Sequence, residues 1–286
     1  MNWTTLVSAE DLAAQLGEPS LRLVDARFVL AGGDADAGEI AWLNGHLPGA
    51  GYVHLDRDLS DHHKPASAGR HPLPDAGAFC ATLERLGISA DSQVVVYDAA
   101  DGAMAAARFW WLMKLLGHQR VAVLDGGYAR WIALGLPVET GAAALPEGQY
   151  SASYDLEKIA SADDVARGLG ETAACLLDAR APERFRGDVE PLDRVAGHIP
   201  GALNRPYTQN IADGRFRAPA DLRREFTALL DGRRPSEVVL SCGSGVTACH
   251  NLLAMEHAGL HGARVYAGSW SGWISDPSRP VATGGR

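Results

Sequence analysis

No stretch of this chain stays apolar long enough to cross a bilayer. The most apolar helical run, residues 103–116, is interrupted by Arg108 and Lys114 and falls short of the ~20 apolar residues a spanning helix needs. The opening Met1-Asn2-Trp3-Thr4-Thr5 lacks a basic region followed by an apolar one, so no signal peptide is expected. The expected setting is therefore the cytoplasm, with thiols kept reduced. A basic excess is missing too. Lys and Arg number 26 against 35 Asp and Glu, a net charge of −9, which argues against nucleic acid and anionic membrane as partners. Cysteine is scarce: Cys80, Cys175, Cys242 and Cys249 are the only four in 286 residues. They form no CxxC pair and no zinc-ligand spacing, so no metal is expected. Neither a dinucleotide-binding glycine fingerprint nor a low-complexity segment is present.

What the chain does have is a repeat. Ser8-Ala-Glu-Asp-Leu-Ala returns as Ser161-Ala-Asp-Asp-Val-Ala, and Leu23-Val-Asp-Ala-Arg27 as Leu176-Leu-Asp-Ala-Arg180. Gly45-His-Leu-Pro-Gly-Ala50 returns as Gly197-His-Ile-Pro-Gly-Ala202. Val94-Val-Val-Tyr-Asp98 then matches Val238-Val-Leu-Ser-Cys242, Trp131 matches Trp273, and Pro137-Val138 matches Pro280-Val281. Ordered matches at slowly drifting offsets mark a duplicated domain. We place the halves at 1–140 and 155–286, with the Gly-, Ala-, Ser- and Pro-rich stretch 139–154 as an exposed linker.

Each half alternates strand and helix patterns. Short apolar runs at 21–26, 94–97, 121–124, 175–179 and 238–241 read as buried strands. Ser8 and Ser161, each with Asp three residues on, read as helix N-caps. The alternation predicts an α/β fold with a mainly parallel sheet and helices on both faces. Ligands in such sheets sit outside the carboxyl ends of the strands.

The sharpest site candidate lies at one such end, Ser241-Cys242-Gly243-Ser244-Gly245-Val246-Thr247-Ala248-Cys249. A buried strand runs into a cysteine, and two glycines lead into a helix. Glycines let successive N–H groups curl inward, and the helix start adds more, making a cradle for an anion. A thiolate is the form such a cradle favours, which makes Cys242 a candidate nucleophile. Cys249, two helical turns on, reads as a helix core residue. A phosphatase loop would need Arg six positions after the cysteine to grip phosphate, where Ala248 stands. A protease triad among ten histidines stays open. Transfer of anionic sulfur fits the loop better.

With Leu-x-Asp-Ala-Arg, Gly-His-x-Pro-Gly-Ala and a strand-Cys-Gly loop, the chain resembles the tandem rhodanese-type sulfurtransferases. Its loop Cys242-Gly-Ser-Gly-Val-Thr-Ala248 is similar to that of the 3-mercaptopyruvate branch; the thiosulfate branch carries Arg and Lys where Gly243 and Ser244 stand here. The resemblance implies two rhodanese-like α/β domains. The second bears the active cysteine; the first is inert because Asp98 occupies the cysteine position. It implies a Cys242 persulfide that carries sulfur from 3-mercaptopyruvate to cyanide or a thiol such as thioredoxin, with release of pyruvate and no cofactor. Arg184 corresponds to the family's carboxylate-binding arginine. Arg194, one residue further on than expected, or else Arg186, corresponds to the second. The family's Asp-His-Ser relay falls on Asp56, His71 and Ser244. Gly243, Gly245, Val246 and Thr247 supply the amides around the sulfur. Two other readings remain: a thiosulfate:cyanide sulfurtransferase, and a sulfur carrier or interaction module without activity of its own. The His46 and His198 of both repeats are expected to brace loops. Asp25 with Arg27 and Asp178 with Arg180 are expected to pair at strand ends, and the tryptophans to pack cores or the domain interface.

Overall fold

The computed structural model describes residues 1–29, 36–169 and 175–285. The chain divides into two compact units: Met1–Asp61, Pro74–Asp155 and Asp213–Phe216 form the first, and His62–Leu73, Leu156–Ala212 and Arg217–Arg286 the second. Twelve residues of the sequence's first half, including His71, thus belong to the second unit.

In the first unit, strands β1 (Leu6–Val7), β2 (Leu21–Asp25), β3 (Gly51–Tyr52), β4 (Gln93–Tyr97) and β5 (Val121–Leu124) form one sheet in the order β1-β5-β4-β2-β3. Every pairing in it is parallel. Helices α1 (Ala9–Ala13), α2 (Ala37–Asn44), α3 (Ala76–Arg85), α4 (Ala105–Leu115) and α5 (Gly127–Ala133) intervene. The central strand β4 is buried along its whole length, which is why it reads as an unbroken apolar run rather than an alternation. The second unit repeats the plan. Strands β6 (Ile159–Ala160), β7 (Cys175–Asp178), β8 (Leu203–Asn204), β9 (Val238–Ser241) and β10 (Arg264–Tyr266) lie in the order β6-β10-β9-β7-β8, again all parallel. Its helices are α6 (Ala162–Arg167), α7 (Pro182–Arg186), α8 (Pro219–Leu230), α9 (Thr247–His257) and α10 (Ser269–Trp273). Among the described residues, no helix is long and apolar enough to cross a membrane.

The repeated motifs do the same work twice. Ser8 and Ser161 cap α1 and α6 by accepting from the amides of Asp11 and Asp164. Arg27 grips Asp25, with Nη2 at 2.6 Å, and donates to the Gly45 carbonyl. Arg180 does likewise with Asp178 and Gly197. His46 and His198 each hold a backbone carbonyl through Nδ1, at Trp42 and Phe185. Each also forms an isolated antiparallel bridge, to Glu139 and to Ala282. The Trp131 and Trp273 indoles donate to the Pro137 and Pro280 carbonyls. Trp110, Trp111, Trp131, Trp270 and Trp273 are all buried, as core residues should be.

The segment 139–154 is mostly accessible but does not hang free. Glu139 pairs with His46, Tyr150 is buried with its hydroxyl 3.0 Å from His118 Nδ1, and the Asp155 amide donates to Leu115. It is a mostly accessible strap along the first unit.

After β4 comes Asp98, whose carboxylate accepts from the amides of Ala100, Gly102 and Met104. A turn of inward-facing N–H groups is thereby filled by the protein's own anion. Burial nevertheless dominates and raises this carboxyl to about 6.

Two predictions follow from these buried charges. The folded state holds the Asp98 proton more tightly than the unfolded chain does, so stability contributed by this group is present at low pH and lost as pH rises from about 4 to about 6. The loss is about 3 kcal/mol. Denaturation of wild type and Asp98→Asn across that range should show the wild type losing ground to the variant as pH rises. Separately, Arg27→Ala leaves the Asp25 carboxylate buried without its fork. Chemical denaturation should register a loss of ~3–5 kcal/mol.

Candidate active site

Parallel register brings the site together. Asp178, the last residue of β7, pairs with Ser241, the last residue of β9, and the Ala179 amide donates to the Ser241 carbonyl at 2.9 Å. The next residue is Cys242, at the carboxyl end of the sheet where ligands of this fold class gather. The residue is only 2% exposed. The loop then turns through Gly245 at φ +80°, where a Cβ would lie 2.3 Å from the Ala267 carbonyl oxygen. Only glycine fits there. In this conformation the Gly245 N–H donates to Cys242 Sγ at 3.1 Å. Helix α9 starts at Thr247, with Val246 as its cap residue.

Sequence reasoning missed Ser269. Its hydroxyl accepts from the Cys242 amide at 3.0 Å, donates to the Tyr266 carbonyl at 2.9 Å and lies 4.0 Å from Cys242 Sγ. Ser269 has φ +49° and is fully buried, whereas the first unit has Gly127 at φ +53° in the matching place. A side chain in that region costs ~1–3 kcal/mol and persists only where its surroundings hold it. The one available signal was a serine replacing glycine between the repeats. Cys249 donates its thiol to the Gly245 carbonyl four residues back, as a helix core residue does.

His71 and Ser244 are brought together. His71 Nδ1 lies 2.8 Å from Ser244 Oγ, and both residues are buried. The segment bearing His71 reaches this position by close packing. A 3₁₀ turn, Ala66–Ala68, runs against α10, and a Cβ on Gly69 would lie 2.5 Å from the Gly268 carbonyl oxygen. The Arg70 amide is tied to Ser271 Oγ at 2.9 Å. Asp56 belongs to the first unit, half-buried, with its amide on His54 Nδ1.

Above Gly243 stand two guanidinium groups. Arg70 Nη2 lies 3.3 Å from where a Cβ on Gly243 would be, and Arg184 Nη1 and Nη2 lie 3.6 Å from it. Arg184 is where the family resemblance put a carboxylate ligand; Arg70 was not foreseen. The other two arginine candidates are engaged elsewhere. Arg194 donates to the Ile274 carbonyl. Arg186 pairs with exposed Asp188 and lines a cavity of about 330 Å3 with Phe185, Leu203 and Leu229.

Both guanidinium groups above Gly243 belong to a ladder of alternating charge. Asp178 pairs with Arg180, Arg180 and Arg184 share Glu190, and Arg184 and Arg70 share Asp193. The three carboxylates are buried, at 3–6% exposure. Burial works against the charge on Glu190, but Arg184 and the amides of Leu192 and Asp193 outweigh it and hold the group below the usual carboxylate range. For Asp193 burial wins over Arg70 and raises the carboxyl. Arg180 also stacks over Trp270 at 5.0 Å. Among the described residues, no group of His, Cys, Asp and Glu could hold a metal ion.

Comparison with known proteins agrees with this architecture. The rhodanese-like domain matches twice, over residues 8–134 and 161–276. A probable 3-mercaptopyruvate sulfurtransferase of Pseudomonas aeruginosa is 48% identical, covering 99% of this chain and 100% of its own. A putative thiosulfate sulfurtransferase of Mycobacterium tuberculosis is 42% identical over 98% of this chain and 97% of its own. The crystal structure of SseA, a 3-mercaptopyruvate sulfotransferase of Escherichia coli, superposes with a TM-score of 0.82 at 34% identity, covering 94% of this chain and 99% of the other. A duplicated parallel sheet, a cysteine where the second one ends and two family matches in tandem make this chain a member of the rhodanese-like family with two domains.

Proposed function

We propose that the protein is a 3-mercaptopyruvate sulfurtransferase with Cys242 as its nucleophile. The observation that carries the reading is the sulfur of Cys242 receiving the Gly245 N–H at the start of an 11-residue helix, in a chain similar over its full length to enzymes bearing that name.

In the first half-reaction the Cys242 thiolate attacks the donor's sulfur. A sulfur–sulfur bond forms, the carbon–sulfur bond breaks, and pyruvate leaves as its enolate. The proton the enolate needs comes from the sulfur just transferred, and the Ser244 hydroxyl with His71 behind it is placed to relay it. Asp56 is the relay's third member by resemblance. The persulfide anion left on Cys242 is stabilised by loop amides from Gly243, Gly245, Val246 and Thr247, as an oxyanion hole stabilises oxygen. Arg184 holds the donor's carboxylate with a planar fork. In the second half-reaction a thiol acceptor takes the outer sulfur and restores the Cys242 thiolate, which makes the kinetics ping-pong. Thioredoxin and low-molecular thiols, kept reduced in the cytoplasm, suit this step.

Thiosulfate is the second reading as donor, favoured by the name of the Mycobacterium tuberculosis relative. Against it stands a loop without Lys or Arg from Cys242 to Ala248, because a dianion gains most from loop cations.

Incubation with 3-mercaptopyruvate should release pyruvate and add one sulfur atom to the intact mass of the wild type. Cys242→Ser should abolish the mass gain and lower turnover by more than about a thousandfold; full turnover in that variant would refute the assignment. Arg184→Ala should raise KM for the oxo acid roughly 10–100-fold, the worth of a charge-assisted hydrogen bond.

A further inference from the structure

We propose that Arg70 is the second guanidinium that binds the donor's carboxylate, and that Asp193 positions it and sets the charge by which the site selects a monoanionic donor over a dianionic one. The proposal rests on the sulfurtransferase reading above and adds to it a binding residue and a source of donor specificity.

Three observations carry it. First, the atoms nearest a Cβ placed on Gly243 all belong to Arg70 and Arg184, so the two forks converge beside the residue after the nucleophile. Second, each fork is held by buried carboxylates while it lies beside Gly243. Arg70 gives Nη1 to Asp193 at 2.6 Å and turns Nη2 toward the loop. Arg184 gives Nε and Nη2 to Glu190 and Nη2 also to Asp193. Ordering long side chains costs rotamer entropy; here buried carboxylates meet that cost before a ligand arrives, which favours binding. Third, the charges balance. Asp178, Glu190 and Asp193 face Arg180, Arg184 and Arg70 in one connected set, three of each sign. The loop from Cys242 to Ala248 adds no charged side chain. A set with no net charge tolerates a single carboxylate gripped by two forks. It compensates a dianion poorly, because the second negative charge meets the buried carboxylates without a matching cation.

Arg70 lies in the segment that the second unit takes from the first half of the sequence, over a hundred residues from Arg184.

The test uses the full chain and three sulfur donors: 3-mercaptopyruvate, mercaptoacetone (the same thiol and ketone without the carboxylate) and thiosulfate. Arg70→Ala should raise KM for 3-mercaptopyruvate at least about tenfold with kcat changed by less than about threefold. Sulfur loading of Cys242 from mercaptoacetone should stay within about twofold of wild type, because no carboxylate is there to lose its partner. Arg70→Lys, which keeps the charge but not the fork, should fall between wild type and Arg70→Ala. It decides the matter if the alanine variant does not fold. Asp193→Asn should raise the ratio of thiosulfate to 3-mercaptopyruvate kcat/KM at least about tenfold, the effect of one uncompensated positive charge near the donor; a merely structural loss would lower both donors alike. An unchanged KM for 3-mercaptopyruvate in the Arg70 variants overturns the binding role. An unchanged donor ratio in Asp193→Asn overturns the charge selection. A wild type that 3-mercaptopyruvate does not load at all refutes the functional reading itself, and this proposal with it.

Discussion

The carboxylate of Asp178 closes a strand whose in-register neighbour ends one residue before Cys242, and Arg180 closes over that carboxylate in turn. This buried pair has two consequences. It pins the Gly197 carbonyl, and so the start of the Gly-His-x-Pro-Gly loop, against the sheet. It also gives the next acid, Glu190, a cation to meet, from which the alternation passes outward through Arg184 and Asp193 to Arg70. A buried ion pair left to itself is a poor source of stability, because desolvation nearly cancels attraction. A chain of such pairs ending in two aimed guanidinium groups makes sense as placement.

The two units show the same scaffold with different residues after the central strand. Both have the Asp–Arg pair, the bracing histidine, the tryptophan donating to a proline carbonyl and the turn after the central strand. In the first unit the turn is occupied by Asp98's own carboxylate. In the second the Gly245 N–H of the turn donates to the Cys242 sulfur, and the residue that braces it from α10 is a serine in a backbone conformation its counterpart entrusts to glycine.

Much of this was legible in the order of residues, and the reason differs from case to case. The strands announced themselves because central parallel strands are apolar throughout. The cysteine loop did so because a cysteine at a strand end, two glycines and a helix start are contiguous. The paired Asp and Arg two residues apart were legible because their interaction is local. Arg70, Glu190 and Asp193 were not, since what makes them a group is packing between segments far apart in sequence, and each alone is an ordinary surface-type residue. The composition of 139–154 read as an exposed linker; its strap contacts, such as Tyr150 with His118, depend on a surface that composition does not describe. Arg194 and Arg186 came from the family resemblance, which follows one segment of the chain, whereas the guanidinium beside Arg184 at Gly243 belongs to Arg70, in another part of the chain.

The stretch His62–Leu73 has a further meaning for how such a protein could arise and be divided. Duplication of a gene normally yields two copies, each complete in itself. Here the unit that contains Cys242 includes a dozen residues encoded within its sibling, among them His71 and Arg70. A coding sequence cut at the repeat boundary would deliver a second half whose strands and cysteine are intact but whose imidazole and outer guanidinium travel with the other fragment. The exchange runs both ways, since the first unit in turn takes Asp213–Phe216 from the second half of the sequence.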